Sequence, residues 1–194
     1  MEIAVGPLAE TEWHAARALA HRAFVDEPFT VEMYGESILD RWGGSWALYA
    51  SLASTTSTVA LGARADDVLV GFALGNASGH CAMCEVVALE ARPDDPHLAV
   101  DWQFHQNIAH AHRPLDEHAW IDKLAVEPAL HGLGIGRRLL DAAAEAVTGD
   151  GPTDVVLVCA PDRVSFYSRA GFEQISTIPD PAGPDALLMR RRFS

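Results

Sequence analysis

The sequence predicts a single α/β domain, because segments with apolar residues at helical spacing alternate along its 194 residues with apolar and β-branched segments. This length suits one domain with a sizeable core. The segment TDVVLVCAP (153–161) is a nearly continuous apolar run, which is typical of a central strand that is buried on both faces. Neither an internal repeat nor a low-complexity segment interrupts the alternation. We therefore expect one domain over residues 1–194, with an insertion at about 78–117.

Composition and charge exclude several classes of protein. The net charge is −13 and the only basic cluster is the C-terminal MRRRFS, so no nucleic-acid partner is expected. No apolar run approaches the roughly 20 residues that span a bilayer, so no membrane partner is expected either. The N-terminus lacks the pattern of a signal peptide, and three cysteines fit a reducing cytoplasm better than a disulfide framework. An acidic surface mildly favours cationic small molecules.

The elements of the N-terminal half follow from periodicity and turn residues. MEIAVGPL (1–8) predicts a short strand, and apolar residues at helical spacing predict a helix over about 10–25. A second helical region covers 31–54, with an interruption at Gly43–Gly44. Two apolar runs joined by Asp66–Asp67 predict a hairpin of strands 57–65 and 68–77.

The C-terminal half continues the alternation. Residues 78–96 are ambiguous, with a short strand at Cys84–Leu89 as one interpretation. Proline and glycine punctuation then separates the remaining segments. The predicted elements are a helix at 97–112, a buried strand HAWIDKLAV at 118–126, a helix at 135–147, the central strand at 153–161, a short helix at 162–170, and two strands at 172–178 and 185–193.

The segment after the strand 118–126 has an unusual charge pattern. Glycines occupy positions 132, 134 and 136, and Arg137 and Arg138 follow at once in the first helical turn. The start of a helix carries partial positive charge and unpaired amide donors, so arginines there conflict with the helix dipole unless an anion binds. Glycines would let the backbone approach such an anion, most naturally a phosphate. A glycine-rich turn with two solvated arginines is the alternative.

Two common nucleotide motifs do not fit this segment. A Walker A loop ends in Gly-Lys-Ser/Thr, which is absent. The dinucleotide fingerprint needs a third glycine where this sequence has Arg137 or, in the other register, Leu139.

LAVEPALHGLGIGRRLL (124–140) resembles the acyl-CoA-binding signature of the GCN5-related N-acetyltransferase (GNAT) superfamily. That signature is a strand ending Leu-x-Val, a proline two residues on, and Arg/Gln-x-x-Gly-x-Gly/Ala leading into a helix. His131 stands where arginine or glutamine is usual before the first glycine. APDRVSFYSRAGFE (160–173) is similar to the family's C-terminal pattern, a short helix that carries Phe-Tyr and closes with Gly-Phe.

The resemblance covers about 118–173 and implies the GNAT fold. This is an α/β (α+β) fold with a central mixed, mostly antiparallel sheet flanked by helices on both faces. It also implies acetyl-CoA as the acyl-donor substrate. The backbone marked by Leu124 and Val126 would pair with the pantetheine arm, and the amides of the glycine segment would hold the pyrophosphate. The implied binding residues are Leu124, Ala125, Val126, His131, Gly132, Leu133, Gly134, Ile135, Gly136, Arg137 and Arg138.

Acetyl transfer from a thioester to an amine expels a CoA thiolate, which needs a proton donor. By resemblance, Tyr167 is that general acid. A packing role beside Phe166 and Phe172 is the alternative. The sequence contains no Gly-x-Ser-x-Gly nucleophile elbow. The family pattern implies that the amine attacks the thioester directly, without an acyl-enzyme.

The amine must also lose a proton. On the strand 118–126, period-2 alternation puts Trp120, Asp122, Leu124 and Val126 on one face. Since the resemblance places Leu124 and Val126 along the pantetheine arm, it implies that Asp122 lies beside the reacting centre. Asp122 is a candidate base or amine-orienting anion, and a structural ion pair is the alternative. Glu85 and His118 are further candidates.

No metal is expected. HCAMC (80–84) offers Cys81 and Cys84, but a tetrahedral site needs two more ligands and no second cysteine pair exists. His105, His110 and His112 have spacings that do not share a helix face.

The sequence therefore predicts a cytoplasmic N-acetyltransferase that moves an acetyl group from acetyl-CoA to a primary amine. A non-catalytic acyl-CoA-binding or sensing module of the same fold is the alternative, and a transferase for longer acyl groups is a third interpretation. Polyamines, aminoglycoside-like amines, amino acids and protein N-termini all stay open as acceptors. Family habit allows a homodimer, although no residue here argues for one.

Overall fold

The computed structural model describes residues 2–27, 30–31, 34–42, 58–77, 96–113, 115, 117–149, 153–181 and 183–193. The strands in these residues are β1 (Ile3–Pro7), β2 (Val59–Ala65), β3 (Val68–Asn76), β4 (His118–Val126), β5 (Thr153–Cys159), β6 (Glu173–Ile178) and β7 (Ala186–Phe193). The α-helices whose bounds are described are α1 (Trp13–Phe24), α2 (Pro96–His112), α3 (Ile135–Thr148) and α4 (Val164–Arg169). Residues 30–31, 34 and 38–42, at the start of the predicted helical region 31–54, are also helical. Short 3₁₀ turns cover Glu10–Glu12, Pro128–Leu130 and Pro161–Arg163.

The seven strands form one mixed sheet in the order β1-β2-β3-β4-β5-β7-β6. Five of its six neighbouring pairs are antiparallel, and the pair of β4 with β5 is parallel. The predicted mixed, mostly antiparallel sheet is therefore confirmed.

Helices cover both faces of the sheet. The apolar face of α3 packs on one side, where the largest core cluster joins Leu139 and Leu140 to Val155 of β5. Side chains of α4 pack against the same cluster. On the opposite face α1 packs over Phe72 of β3, and α2 packs over Trp120 of β4 and residues of β5, β6 and β7. Each face thus has a desolvated apolar layer, the arrangement in which α/β domains bury their cores.

Most predicted elements agree with the structure. The strand 118–126 has the predicted bounds, and the hairpin turns at Asp66 and Asp67, whose φ angles of 47° and 64° suit a tight hairpin turn. The predicted break at Gly43–Gly44 and the strand at Cys84–Leu89 lie outside the described residues. Among the helices that the structure describes, none has the length and apolar character needed to cross a membrane.

The C-terminal arginines are part of the sheet. Arg190 pairs with Glu173 at 2.7 Å, and Arg192 lies 3.5 Å from Asp154. Arg191 pairs with Asp141 of α3 at 2.8 Å. These ion pairs agree with a strand end rather than a basic tail that binds a polyanion.

The pairing of β4 with β5 is short. It joins His118–Trp120 to Asp154–Val156, a run of three residue pairs. Among the described strands, β4 beyond Trp120 pairs with β3 alone, while β5 continues along β7. The two central strands therefore separate toward the end of β4, and we call the gap between them the split.

Candidate functional site

Strand β4 carries a β-bulge in its middle. On β3, Leu74 lies opposite Lys123 and the next residue, Gly75, lies opposite Ile121, so Asp122 is an extra residue on β4. Asp122 Oδ1 and Lys123 Nζ are 3.4 Å apart. Adjacent side chains of a regular strand point to opposite faces and cannot make this contact. The bulge therefore turns both charged side chains toward one face.

The bulge makes the predicted alternation along β4 wrong. Trp120 packs in the cluster beneath α2, whereas Leu124 and Val126 pack in the cluster beneath α3 on the opposite face. The inserted residue shifts the period by one, so side chains after it change face. Lys123 lies opposite a β3 residue that packs against α1, so the ion pair of the bulge lies on the face of α1 and α2. The role predicted for Asp122 stays a prediction.

The segment between β4 and α3 presents a row of backbone amides. Gly132 and Gly134 have φ angles of +84° and +76°, in the left-handed region that favours glycine. Gly134 is the N-cap of α3, and no side chain caps this helix. Within the described residues, no protein group accepts a hydrogen bond from the amides of 132–137. Unpaired amides at the positive end of a helix make an anion-binding site.

The two arginines in the first turn of α3 have different surroundings. Arg137 donates from Nε to Asp141 and from Nη1 to the carbonyl oxygen of Arg169, both at 2.6 Å. Although burial alone would raise the pKa of Asp141, hydrogen bonds from Arg137 and Arg191 outweigh it and lower that pKa. The Arg137 guanidinium is thus engaged within the protein, so its amide is the group that faces the loop. Arg138 is exposed, which leaves its side chain for charge pairing.

The turn after β4 is held from two sides. His131 Nε2 lies 3.1 Å from the carbonyl oxygen of Val126, and because a carbonyl only accepts, Nε2 carries the hydrogen. Glu127 donates its amide to Val70 of β3 at 2.9 Å and pairs with Arg22 of α1 at 2.7 Å. His131 therefore supports the turn by a backbone contact. These contacts pre-organise the amides that follow.

Tyr167 lies on α4 beside the split, half-buried between Phe166 and Phe172. Its ring centroid is 4.9 Å from that of Phe166 and 6.1 Å from that of Phe172. Burial, with the nearby Cys159 thiol adding to it, raises the pKa of the Tyr167 phenol above its usual range, and Arg163 offsets only part of this. The phenol therefore keeps its proton at any physiological pH and can act as a hydrogen-bond donor.

The surroundings of Tyr167 contain a thiol and an ion pair. Cys159, the last residue of β5, is buried, and burial together with the charge of Asp162 raises its pKa to about 12. A thiol that stays protonated is a poor nucleophile. Arg163 Nη2 donates to Glu27 Oε1 at 2.8 Å, which ties the chain after α1 to the start of α4.

A pair of histidines lies at the closed end of the split. His112 Nδ1, at the end of α2, is 3.2 Å from His118 Nε2, the first residue of β4. His112 is 1% exposed and its ring centroid lies 5.1 Å from that of Trp120. Burial, followed by the charges of His118 and Arg113, lowers the pKa of His112 to about 4. Sequence patterns do not predict this pair, although the short connection between the helix and the strand is a signal that brings the two residues close.

Two buried donors accompany the histidines. Asn76 of β3 lies opposite Trp120 in the strand register, and both residues are almost fully buried. Asn76 Oδ1 accepts from the Thr58 amide at 3.1 Å, which identifies its other terminal atom as the nitrogen. Within the described residues, neither Asn76 Nδ2 nor Trp120 Nε1 has a hydrogen-bond acceptor. Two buried donors therefore lie next to the histidines, at the margin of the apolar cluster that contains Trp120.

Several predicted candidates lie outside the described residues. These include Glu85, a candidate base, and the segment HCAMC (80–84), for which no metal site is predicted, also lies outside them. The structure brings Tyr167, the amide row and the open part of β4 to one side of the split, and it places the bulge and the histidine pair toward α1 and α2.

Comparison with protein families gives one match. A sequence profile described as an acetyltransferase (GNAT) domain matches residues 56–174, more than half of the chain. A search of curated proteins gives no match.

Solved structures with low sequence identity share the fold. A structure of "histone acetyltransferase HPA2 and related acetyltransferase" from Corynebacterium glutamicum is 20% identical, with a TM-score of 0.69 over 98% of this chain and 96% of that chain. Polyamine N-acetyltransferase from Drosophila melanogaster is 17% identical, with a TM-score of 0.71 over 99% of each chain. The PaiA N-acetyltransferase from Thermoplasma acidophilum, solved with coenzyme A, is 17% identical, with a TM-score of 0.57 over the whole of both chains.

Proposed function

Because this chain belongs to the GNAT acetyltransferase family, we propose that it transfers an acetyl group from acetyl-CoA to the nitrogen of a primary amine. The observation that carries the proposal is the row of amides at 132–137, which lack protein acceptors within the described residues and stand at the start of α3. A pyrophosphate offers the charged oxygens that these donors need. The open split beside them offers room for the rest of a coenzyme.

The donor would lie along the open part of β4. Its pyrophosphate would receive the amides of Gly132, Gly134 and the first turn of α3, and the exposed Arg138 would add charge pairing. Beyond Trp120 the backbone of β4 pairs with no described strand other than β3, so its other edge, at 124–126, would be the one that receives the pantetheine arm. The PaiA protein of Thermoplasma acidophilum, which shares this fold, was solved with coenzyme A.

Tyr167 would supply the proton for the leaving sulfur. Attack of the amine on the thioester carbonyl forms the C–N bond, and the C–S bond then breaks with its electrons on sulfur. A phenol that remains protonated can donate to this thiolate as the charge develops. The raised pKa of Cys159 supports direct attack rather than an acyl-cysteine. Asp122 would orient the ammonium group of the acceptor or accept its proton.

A small cationic amine is the acceptor that we favour. The chain carries a net charge of −13, and charge of this sign raises the local concentration of cations. Among proteins of the same fold, the Drosophila melanogaster enzyme forms N-acetylagmatine, whereas the Corynebacterium glutamicum title names a histone acetyltransferase. Protein amines are therefore the second class to test. The cytoplasmic location and a homodimer stay predictions.

The test is release of the CoA thiol from acetyl-CoA in the presence of an amine panel. The panel contains agmatine, spermidine, an aminoglycoside, free amino acids and a lysine-rich peptide. We expect thiol release with at least one amine and mass-spectrometric detection of a product heavier by one acetyl group. Binding of acetyl-CoA by calorimetry without any release would instead support the non-catalytic sensor. Absence of binding at millimolar coenzyme would refute both.

Tyr167→Phe is the variant that tests the proton donor, and Ser168→Ala, an exposed neighbour on the same helix, is its control. The phenylalanine keeps the ring packing with Phe166 and Phe172 and removes only the hydroxyl. We expect kcat to fall by about 10²-fold or more, the range for loss of a general acid, with the Kd for acetyl-CoA unchanged. An unchanged kcat would return Tyr167 to a packing role.

A further inference from the structure

The histidine pair at the closed end of the split stands at the junction of the two central strands. His118 is the first residue of the three on β4 that pair with β5, and the split opens two residues later. His112 Nδ1 contacts its ring from α2 at 3.2 Å, with the two ring planes nearly perpendicular. A group reacting near the bulge would thus have an imidazole within a few residues along the same strand.

Resting on the proposed amine acetylation, we propose that His118 takes the proton released by the acceptor amine and that His112 positions it. The acceptor nitrogen enters as an ammonium group and leaves as an amide, so it loses two protons. One returns to Tyr167 after that residue has protonated the sulfur. The other passes to His118 through bound waters and then to solvent, because His118 lies four residues before the bulge, roughly 13 Å along an extended strand. The sum is one amide, one thiol and one released proton.

The pairing suits this task because the pair takes up one proton at a time. An imidazole–imidazole hydrogen bond needs one donor nitrogen and one acceptor nitrogen. His112 is almost fully buried, and its burial, with the charges of His118 and Arg113 adding to it, lowers its pKa, so charging both rings together is unfavourable. On β5, Asp154 lies opposite His118 in the strand register, and its carboxylate is shared between Arg190 and Arg192, each at 3.5 Å. His112 therefore stays neutral and orients His118.

Two other observations favour His118 over Asp122 as the base. Lys123 already places an ammonium group 3.4 Å from Asp122, which suits a carboxylate that orients charge. Beside the histidines, the buried donors Asn76 Nδ2 and Trp120 Nε1 lack an acceptor within the described residues. Ordered waters need such polar partners, and waters held there could carry the proton from the amine to His118.

The experiment compares His118→Gln with His110→Gln, an exposed residue on the same helix as His112. The readout is kcat/KM for the best amine of the panel between pH 6 and 10. We expect His118→Gln to lose about 10²-fold at pH 7, as is usual for removal of a general base. The loss should shrink at higher pH, because an alkylamine with a pKa near 10.4 then supplies its own neutral form. His110→Gln should match the wild type, and acetyl-CoA affinity should be unchanged in both.

His112→Gln tests the positioning role. Glutamine can keep a hydrogen bond to His118, so we expect kcat/KM to fall by only about tenfold. The acid limb of the plot of kcat/KM against pH should also move. Equal kcat/KM in His118→Gln and the wild type would overturn the proposal, and so would a loss that is the same at every pH. A wild-type protein that releases no CoA with any amine would refute the proposed function. An active wild type whose kcat/KM is unchanged by His118→Gln would refute this inference alone.

A measurement on the wild type covers the case in which a variant does not fold. Nuclear magnetic resonance of protein with ¹⁵N-labelled histidine follows each ring through a pH titration. We expect one ring, that of His112, to stay neutral down to about pH 4, and its signals to shift when His118 takes up its proton. Independent titration of the two rings would contradict the coupling.

Discussion

Substitution of alanine at two glycines of the same loop separates backbone conformation from helix packing. Gly134 has φ +76° and ψ 5°, and nothing lies within 4 Å of an added Cβ, so alanine there meets conformational strain without a clash. Gly136 lies inside α3 without a positive φ, and its added Cβ would lie 3.5 Å from Phe166 and from Val126, an ordinary contact distance. Alanine at Gly134 should therefore lower the stability of the fold, whereas alanine at Gly136 should not.

The magnitudes follow from these positions. Alanine in the left-handed region costs about 1–2 kcal/mol. In a chain of this size each kcal/mol shifts Tm by about 2–4 °C, so Gly134→Ala should lower Tm by about 2–8 °C. Alanine is favoured over glycine inside a helix by up to about 1 kcal/mol, so Gly136→Ala should leave Tm unchanged or raise it slightly.

The two variants should also differ in coenzyme binding. If the chain leaves the left-handed region at Gly134, the amides on either side turn away from the phosphate. Each hydrogen bond to a charged group contributes about 1.5–3 kcal/mol, so the loss of one weakens binding about 10- to 100-fold. Gly136→Ala keeps its amide in place and should keep the wild-type Kd.

Differential scanning fluorimetry gives Tm, and isothermal calorimetry with CoA gives Kd, for both variants and the wild type. Circular dichroism checks that each variant is folded. A Gly134→Ala protein that binds CoA as tightly as the wild type would refute the role assigned to the amide row. Equal weakening by the two substitutions would show that the positive φ is not what matters.

Three further predictions concern the acid, an ion-pair network and the core. Because the pKa of the Tyr167 phenol is raised, the ratio of wild-type to Tyr167→Phe kcat should stay constant from pH 7 to about pH 10, and a ratio that collapses across this range would contradict the assignment. Hydrogen bonds from Arg137 and Arg191 lower the pKa of Asp141, so the stability it contributes is present above its ordinary pKa of 3.8 and is lost as pH falls through the lowered value. In urea unfolding, the difference between wild type and Asp141→Asn should therefore shrink below about pH 4; a difference independent of pH would argue against the network. Leu139 is fully buried beneath the sheet, so Leu139→Ala should cost about 2–5 kcal/mol of unfolding free energy, and a loss below about 1 kcal/mol would mean that the site collapses around the alanine.

Local patterns predict the elements but not the defect in β4. The strand 118–126, the hairpin at Asp66–Asp67 and the start of α3 follow from periodicity, turn residues and glycine spacing. The bulge at Asp122 depends on how β3 pairs with β4, and the sequence of β4 alone does not predict that pairing. Regular alternation therefore assigns Trp120 and Leu124 to one face when they occupy opposite faces.

The motifs of the candidate site could be predicted from the sequence, but the contacts between its side chains could not. The glycine segment and Tyr167 belong to local motifs that a sequence displays. The partners of Arg137 are less visible, since Asp141 lies at the favourable i,i+4 spacing but the Arg169 carbonyl comes from another helix. The pair of His112 and His118 likewise depends on how α2 packs against the sheet. Tertiary packing decides which groups remain for a ligand.

The brief junction of β4 with β5 divides the sheet into two antiparallel halves. β1 to β4 form one half, and β5, β7 and β6 form the other. In the described chain the strands of the two halves join through three residue pairs, and α3 packs across the seam. An extended pantetheine arm laid against the free edge of β4 would act as a surrogate strand, so the coenzyme would complete an architecture that the polypeptide leaves open.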